Sequence, residues 1–202
     1  MANDDYISET LKDPEKRWTR TEQLEWAMKY GEPLWPSGMQ YRYNDTGYIL
    51  LGEIIERFSN GDLAYGLRSL LKYDQIGLRD TWLESLEDHP SASKAPVHRF
   101  IRRIVDATEW DPSVDLYGGG GLMSTTRDLA TFMSALFTGE IFEKSSTLEL
   151  MMTPPEFWDE YDPGEDDRYK DYRYGLWEIS IYGEKAYKHS GFWGSAMMYI
   201  PA

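Results

Sequence analysis

An α+β fold is predicted, from three observations. Apolar residues recur at helical spacing through most of the chain, the period shortens to strand-like runs after Tyr174, and the two regimes do not interleave. Thr21, with Glu22 in the first turn, predicts a helix carrying Leu24 and Met28 and ending before Gly31 and Pro33. A Pro36-Ser37-Gly38 turn then leads into the aromatic, extended Tyr41-Arg42-Tyr43. Leu51, Ile54, Ile55 and Phe58 at i, i+3, i+4, i+7 predict a second helix, closed by Asn60-Gly61 in a left-handed cap. Residues 63 to 72 predict a third, stopped near Gly77, and the stretch from 84 to 116 is weakly patterned and loop-rich. Leu129, Phe132, Met133 and Leu136 share one face of a further helix, with Thr125 and Asp128 spaced like a capping box and Gly139 beyond its end. A short helix over 144–152 and an acidic, aromatic loop from Pro154 to Tyr172 follow. Tyr174–Ile181, Lys185–Ser190 and Ser195–Ile200 then predict an antiparallel meander, turning at Tyr182-Gly183-Glu184 and Phe192-Trp193-Gly194. The expected organisation is a mainly helical lobe over 1–172 and strands over 173–202, together one structural unit.

Composition narrows the function classes. A chain of 202 residues that is 41% hydrophobic can bury one sizeable core, and 35 acidic against 21 basic residues give a net charge of −14. That field repels phosphate backbones and anionic headgroups, so neither nucleic acid nor a membrane surface is expected as a partner. No membrane-spanning run and no signal-peptide pattern is read in these residues. With no cysteine there is neither disulfide nor thiolate chemistry, and the cellular compartment stays open. The three histidines, His89, His98 and His189, are too scattered for a metal site, and the acidic run at Glu165-Asp166-Asp167 lacks the glycine and terminal glutamate of a calcium loop. No metal or cofactor is expected.

Three segments carry chemistry. The first is Tyr41-Arg42-Tyr43-Asn44-Asp45-Thr46-Gly47-Tyr48, the second Gly118-Gly119-Gly120-Gly121-Leu122-Met123-Ser124-Thr125 with Asp128-Leu129 beyond it, and the third Lys188-His189-Ser190-Gly191-Phe192. Each has a plain structural reading: a capped loop-to-helix junction, a glycine-rich turn, a strand-end turn. The glycine run also invites comparison with a phosphate cradle, but no Gly-Lys-Ser/Thr follows it. In this order the three resemble signatures of serine β-lactamase-like hydrolases, the family of D-alanyl-D-alanine carboxypeptidases, class C β-lactamases and related esterases.

The resemblance implies a β-lactamase/transpeptidase-like fold and acyl transfer through a serine ester, on a small-molecule or peptide substrate such as a D-amino-acid peptide, ester or lactam. It implies that Tyr43 is a general base and that Asp45 stands where the family offers a carboxamide. An ionised carboxylate only accepts hydrogen bonds, and its charge would raise the pKa of Tyr43. His189 and Ser190 would meet a substrate carboxylate, Gly191 would let the ligand approach the backbone, and the N–H of Phe192 would be one of two oxyanion donors. The histidine form of the strand motif is more similar to the carboxypeptidase and esterase branches.

The family's nucleophile motif, Ser-x-x-Lys, lies upstream of the tyrosine motif, and residues 1–40 contain none. Ser69-Leu70-Leu71-Lys72 and Ser91-Ala92-Ser93-Lys94 match it downstream of Tyr43, the first at a spacing that would align both side chains on one helical face. The resemblance therefore implies a fold truncated at both ends: strands and the nucleophile helix absent before Met1, a last strand and helix absent after Ala202. The chain reads as a hydrolase fragment inactive alone and completed by a complementary polypeptide or by self-association. The alternative is a non-catalytic ligand-binding or partner-associating protein of the same fold.

Overall fold

The computed structural model describes residues 4–31, 36, 42–90, 95–154 and 171–201. Ser37-Gly38, Tyr41, the Ser91–Lys94 match and most of the acidic loop after Pro154 lie outside the described residues. Two compact units form, one from described residues within 1–32, 43–74 and 79–125, the other from those within 33–42, 75–78 and 126–202.

The first unit contains α1 (Asp4–Thr10), α2 (Arg20–Tyr30), α3 (Asp45–Arg57) and α4 (Leu63–Leu70), with α5 (Tyr73–Ile76) at its boundary. Helix α2 starts earlier than Thr21 predicts, because Thr19 is the cap. The Thr19 hydroxyl accepts from the Glu22 N–H, and the Glu22 carboxylate accepts from the Thr19 N–H at 2.8 Å, a reciprocal capping box. Helix α3 ends as expected, with Asn60 (φ 54°) and Gly61 (φ 83°) both left-handed and the Gly61 N–H returning to the Glu56 carbonyl at 2.9 Å.

Of the four residues whose spacing predicts α3, only Ile55 packs on the core. Ile49 and Gly52 are its buried residues and Ile55 packs on the core, whereas Leu51 and Ile54 are half-exposed and Phe58 is 90% exposed. Periodicity located the helix but not its neighbour. Gly52 selects the packed face, because the Tyr117-Gly118 backbone lies so close that a Cβ at Gly52 would overlap the Tyr117 carbonyl.

Beneath α3 and α4, Leu63, Ala64, Leu83 and Leu116 form a buried cluster, flanked by Ile55, Leu67 and Tyr117. Two short ladders complete the unit, β1 (Trp82–Leu83) with β4 (Leu122–Met123) and β2 (Phe100–Ile101) with β3 (Val105–Asp106), both antiparallel. A buried polar cluster ties α1 and α2 to the 3-10 turn Pro112–Asp115, through Gln23, Ser113, Trp18 and Tyr6. Burial pushes the Tyr6 phenol well above its ordinary range and that of Tyr73 up to about 12, so both are neutral packing groups.

The second unit holds α6 (Thr126–Phe137), α7 (Ser145–Met152) and the antiparallel sheet β5 (Trp177–Ile181), β6 (Glu184–Ser190), β7 (Ala196–Tyr199), in that order. The predicted meander is present. Tyr182 (φ 52°) and Gly183 (φ 87°) form the two-residue loop that joins Ile181 to its partner Glu184, the left-handed pair that a tight hairpin needs. Helix α6 packs on the sheet through Phe137, whose ring stacks on Tyr199 at 4.5 Å and on Tyr187 at 5.2 Å. Gly139 (φ 84°) terminates α6, as its position predicts.

Candidate active site

Tyr43 is half-buried, one residue before the cap of α3. The Asn44 Oδ1 accepts from the Gly47 N–H at 2.9 Å and so fixes where the loop becomes helix. Asp45 is the first helical residue, where a carboxylate meets the positive end of the helix dipole. Asn44 and Asp45 thus have a local physical role as cap and first-turn acid.

The glycine-rich segment supports this junction from behind. A Cβ at Gly118 (φ 117°) would overlap the Tyr48 carbonyl, and one at Gly119 would come to 3.0 Å from the Asp45 Cβ. The run is therefore the surface on which the first two turns of α3 rest, and it cradles protein backbone in place of a phosphate. It is anchored in turn. Trp82 and Leu83 pair with Met123 and Leu122, the Glu84 N–H donates to the Gly121 carbonyl at 2.9 Å, and the Thr81 and Ser124 hydroxyls meet at 2.8 Å. The Arg68 guanidinium holds the same strand from below, donating to the Thr81 carbonyl at 2.9 Å and pairing with Glu87.

In the second unit His189 lies near the end of β6, opposite Met197 of β7. Its ring packs against Trp177 at 5.0 Å and edge-on to Tyr172 at 6.2 Å. Ser190 and Gly191 follow at the strand end, where the Gly191 N–H donates to the Ser195 carbonyl at 2.9 Å and the Gly194 N–H to the Gly191 carbonyl at 3.1 Å. A Cβ at Gly191 would displace the Ser195 hydroxyl, which lies against this backbone. Phe192 is 48% exposed, its ring edge-on to Trp193 at 4.9 Å. The aromatic brace of Tyr172 and Trp177 around His189 is the feature the sequence shows least clearly, since only the density of aromatic residues up to position 177 hints at it.

Ser69 and Lys72 do not form the expected helical pair. Helix α4 ends at Leu70, and Lys72 lies beyond it in a left-handed conformation, φ 55°. The shared face that lysine activation of a serine needs is absent at this match. Among the described residues no group of three or more His, Asp or Glu side chains converges as a metal site would, and no helix is long and apolar enough to cross a membrane.

Helices and an antiparallel sheet with these motifs in this order define a β-lactamase/transpeptidase-like fold. The chain belongs to the Beta-lactamase family, which it matches over residues 4–202. It is similar to the D-amino acid amidase of Ochrobactrum anthropi SV3, solved with L-phenylalanine amide, at 25% identity and a TM-score of 0.62 over 92% of this chain and 57% of that one. The octameric penicillin-binding protein homologue of Pyrococcus abyssi shares the fold at 24% identity and a TM-score of 0.67, over 91% of this chain and 41% of that one. So does the penicillin-binding protein of Bacillus halodurans, at 20% identity and 0.63, over 92% and 56%. The chain spans about half the length of these solved relatives.

Proposed function

We propose that these residues contribute the tyrosine and histidine walls of a serine-hydrolase acyl-transfer site, and that the nucleophile comes from a Ser-x-x-Lys segment outside them. The observation that carries this reading is the construction of the two motif ends. Tyr43 is fixed by the Asn44 cap and the glycine platform, and His189 is braced by Trp177 on a strand that ends in a closed Gly191–Ser195 turn. In this reading Tyr43 takes the proton of the incoming nucleophile, and His189 and Ser190 bind the substrate's carboxylate or carbonyl. The N–H of Phe192 supplies one oxyanion donor, typically worth about 10²–10³ in rate, and with the nucleophile and its activating lysine outside them the 202 residues alone are inactive. The substrate class is a D-amino-acid peptide, amide, ester or lactam.

A second reading, a non-catalytic partner-associating protein, has its own observation. Leu51 (53%), Ile54 (51%) and Phe58 (90%) leave an exposed apolar stripe along α3, of the kind that a further polypeptide segment or a second copy covers. Both readings accommodate that stripe, and only the first requires Tyr43 and His189 to act on a substrate.

Supplying the missing segment tests this: co-expressed with a separate polypeptide that carries Ser-x-x-Lys, the chain should gain hydrolysis of a D-amino-acid p-nitrophenyl ester, and Tyr43→Phe or His189→Ala should lower it by about 10²-fold or more. Activity that neither substitution changes would overturn the acyl-transfer reading.

A further inference from the structure

We propose that the β2–β3 hairpin is a docking element for an acidic polypeptide segment of a partner protein. Its tip arginines would take the partner's carboxylates, and Phe100 and Ile104 an apolar side chain between them. Charge distribution is the first argument. Residues 89–106, which include the whole hairpin, carry Lys94, Arg99, Arg102 and Arg103 against the single acid Asp106, a net +3 that leaves −17 on the remainder of a chain whose total is −14. A hairpin of opposite sign to the rest of its protein steers an acidic partner to one place.

Exposure is the second. Arg102 and Arg103 are exposed, Val97 and Ile104 are 82% and 83% exposed and Phe100 is 48%, so apolar and cationic groups alternate around the tip. Arginine and aromatic side chains together are the composition of protein-binding surfaces. The base is rigid: Arg99 donates to Glu84 at 2.8 Å and to the Thr108 carbonyl at 2.9 Å, and the Ala107 N–H returns to the Arg99 carbonyl at 2.8 Å.

Backbone conformation is the third. Arg102 (φ 50°) and Arg103 (φ 61°) are both left-handed, in a turn where asparagine and glycine fit without steric penalty. Arginines at both positions serve something other than the turn itself.

An acidic peptide suits this tip better than an anionic bilayer. Each strand is only two residues long, so the tip stands on the order of 7 Å beyond the pinned base, less than the Debye length of about 8 Å at physiological salt. A planar anionic surface would therefore meet the repulsion of the remaining −17, whereas a narrow peptide engages the hairpin alone.

The test is fluorescence anisotropy with a fluorescein-labelled peptide in which Glu and Asp flank a single Phe. The wild-type chain should bind it, with affinity falling steeply as salt is raised. The Arg102→Asn/Arg103→Gly double variant should bind at least about tenfold more weakly while melting no lower than wild type, since its turn is relaxed. Wild-type affinity in that variant, or loss of binding only through unfolding, would overturn the proposal. So would wild-type binding to phosphatidylserine vesicles in place of the peptide, or a self-association by sedimentation that the variant abolishes with no peptide bound.

Discussion

Gly52→Ala is expected to unfold or severely loosen the first unit, although alanine is the better helix former. In an exposed helix the exchange would stabilise by about 1 kcal/mol. Here the new methyl would overlap the carbonyl of Tyr117, and the obstructing atoms are backbone, which has no alternative rotamer. Overpacking of this kind costs about 1–3 kcal/mol and more where the neighbour cannot yield. The Tyr117-Gly118 segment is hemmed in on its other side as well, because Gly118 lies against the Tyr48 carbonyl. A net loss of about 2 kcal/mol or more is expected, read as a shift in the urea midpoint at constant slope. Gly47→Ala is the internal control. Its Cβ would find only the Asn44 Oδ1 at 3.7 Å, an ordinary contact, so this change in the same helix should be neutral or stabilising. Equal destabilisation by both variants would show that the α3–glycine contact is not what positions the tyrosine junction.

The second large effect is expected from Gln23→Ala. Gln23 is fully buried, and its Nε2 donates to the Ser113 carbonyl at 2.6 Å and to the Tyr6 hydroxyl at 3.3 Å. Ser113 in turn accepts the Trp18 N–H on its hydroxyl at 2.6 Å, and the Tyr6 hydroxyl donates to the Val114 carbonyl at 3.2 Å. Removing the amide leaves the Ser113 carbonyl buried without its donor, at about 1–3 kcal/mol, and opens a cavity beside the Trp18 and Tyr6 rings. The combined cost should be about 3–4 kcal/mol, with the amide protons of α1 and α2 losing protection first in hydrogen exchange. A loss below about 1 kcal/mol would mean that this cluster does not hold the N-terminal helices to the 110–117 segment.

The sequence makes the chain's large features legible because each rests on a local rule. The β5-β6-β7 meander follows from period-two patterning and the Tyr182-Gly183 turn, and the C-terminal ends of α3 and α6 follow from Asn60-Gly61 and Gly139. What sequence pattern does not reach is tertiary. The spacing of Leu51, Ile54, Ile55 and Phe58 predicts the helix, but period alone cannot say what lies opposite; the helix turns Gly52 inward and leaves Leu51, Ile54 and Phe58 largely outside. The glycine in an otherwise apolar helix is the clue, because glycine there is costly unless another backbone must come close. The capping box at Thr19 is equally local, yet Thr21 obscures it by offering a second hydroxyl near the same glutamate. The β2–β3 hairpin escapes because its strands are two residues long and its turn carries Arg-Arg where Asn-Gly would announce it. At the candidate site the motif residues themselves are legible, whereas the Trp177 brace on His189 and the Ser195 closure of the Gly191 turn depend on cross-strand neighbours.

In the proposed function these residues carry the tyrosine and histidine motifs of an acyl-transfer site but not its nucleophile. Covalent labelling with a fluorescent penicillin, followed by peptide mass spectrometry, tests it most directly. Neither the helix-end geometry of Ser69 and Lys72 nor any Ser-x-x-Lys upstream of Tyr43 provides an activated serine, so the 202 residues alone should take up no label. A penicilloyl adduct mapped to Ser69, Ser91 or any other serine of this chain would contradict the account.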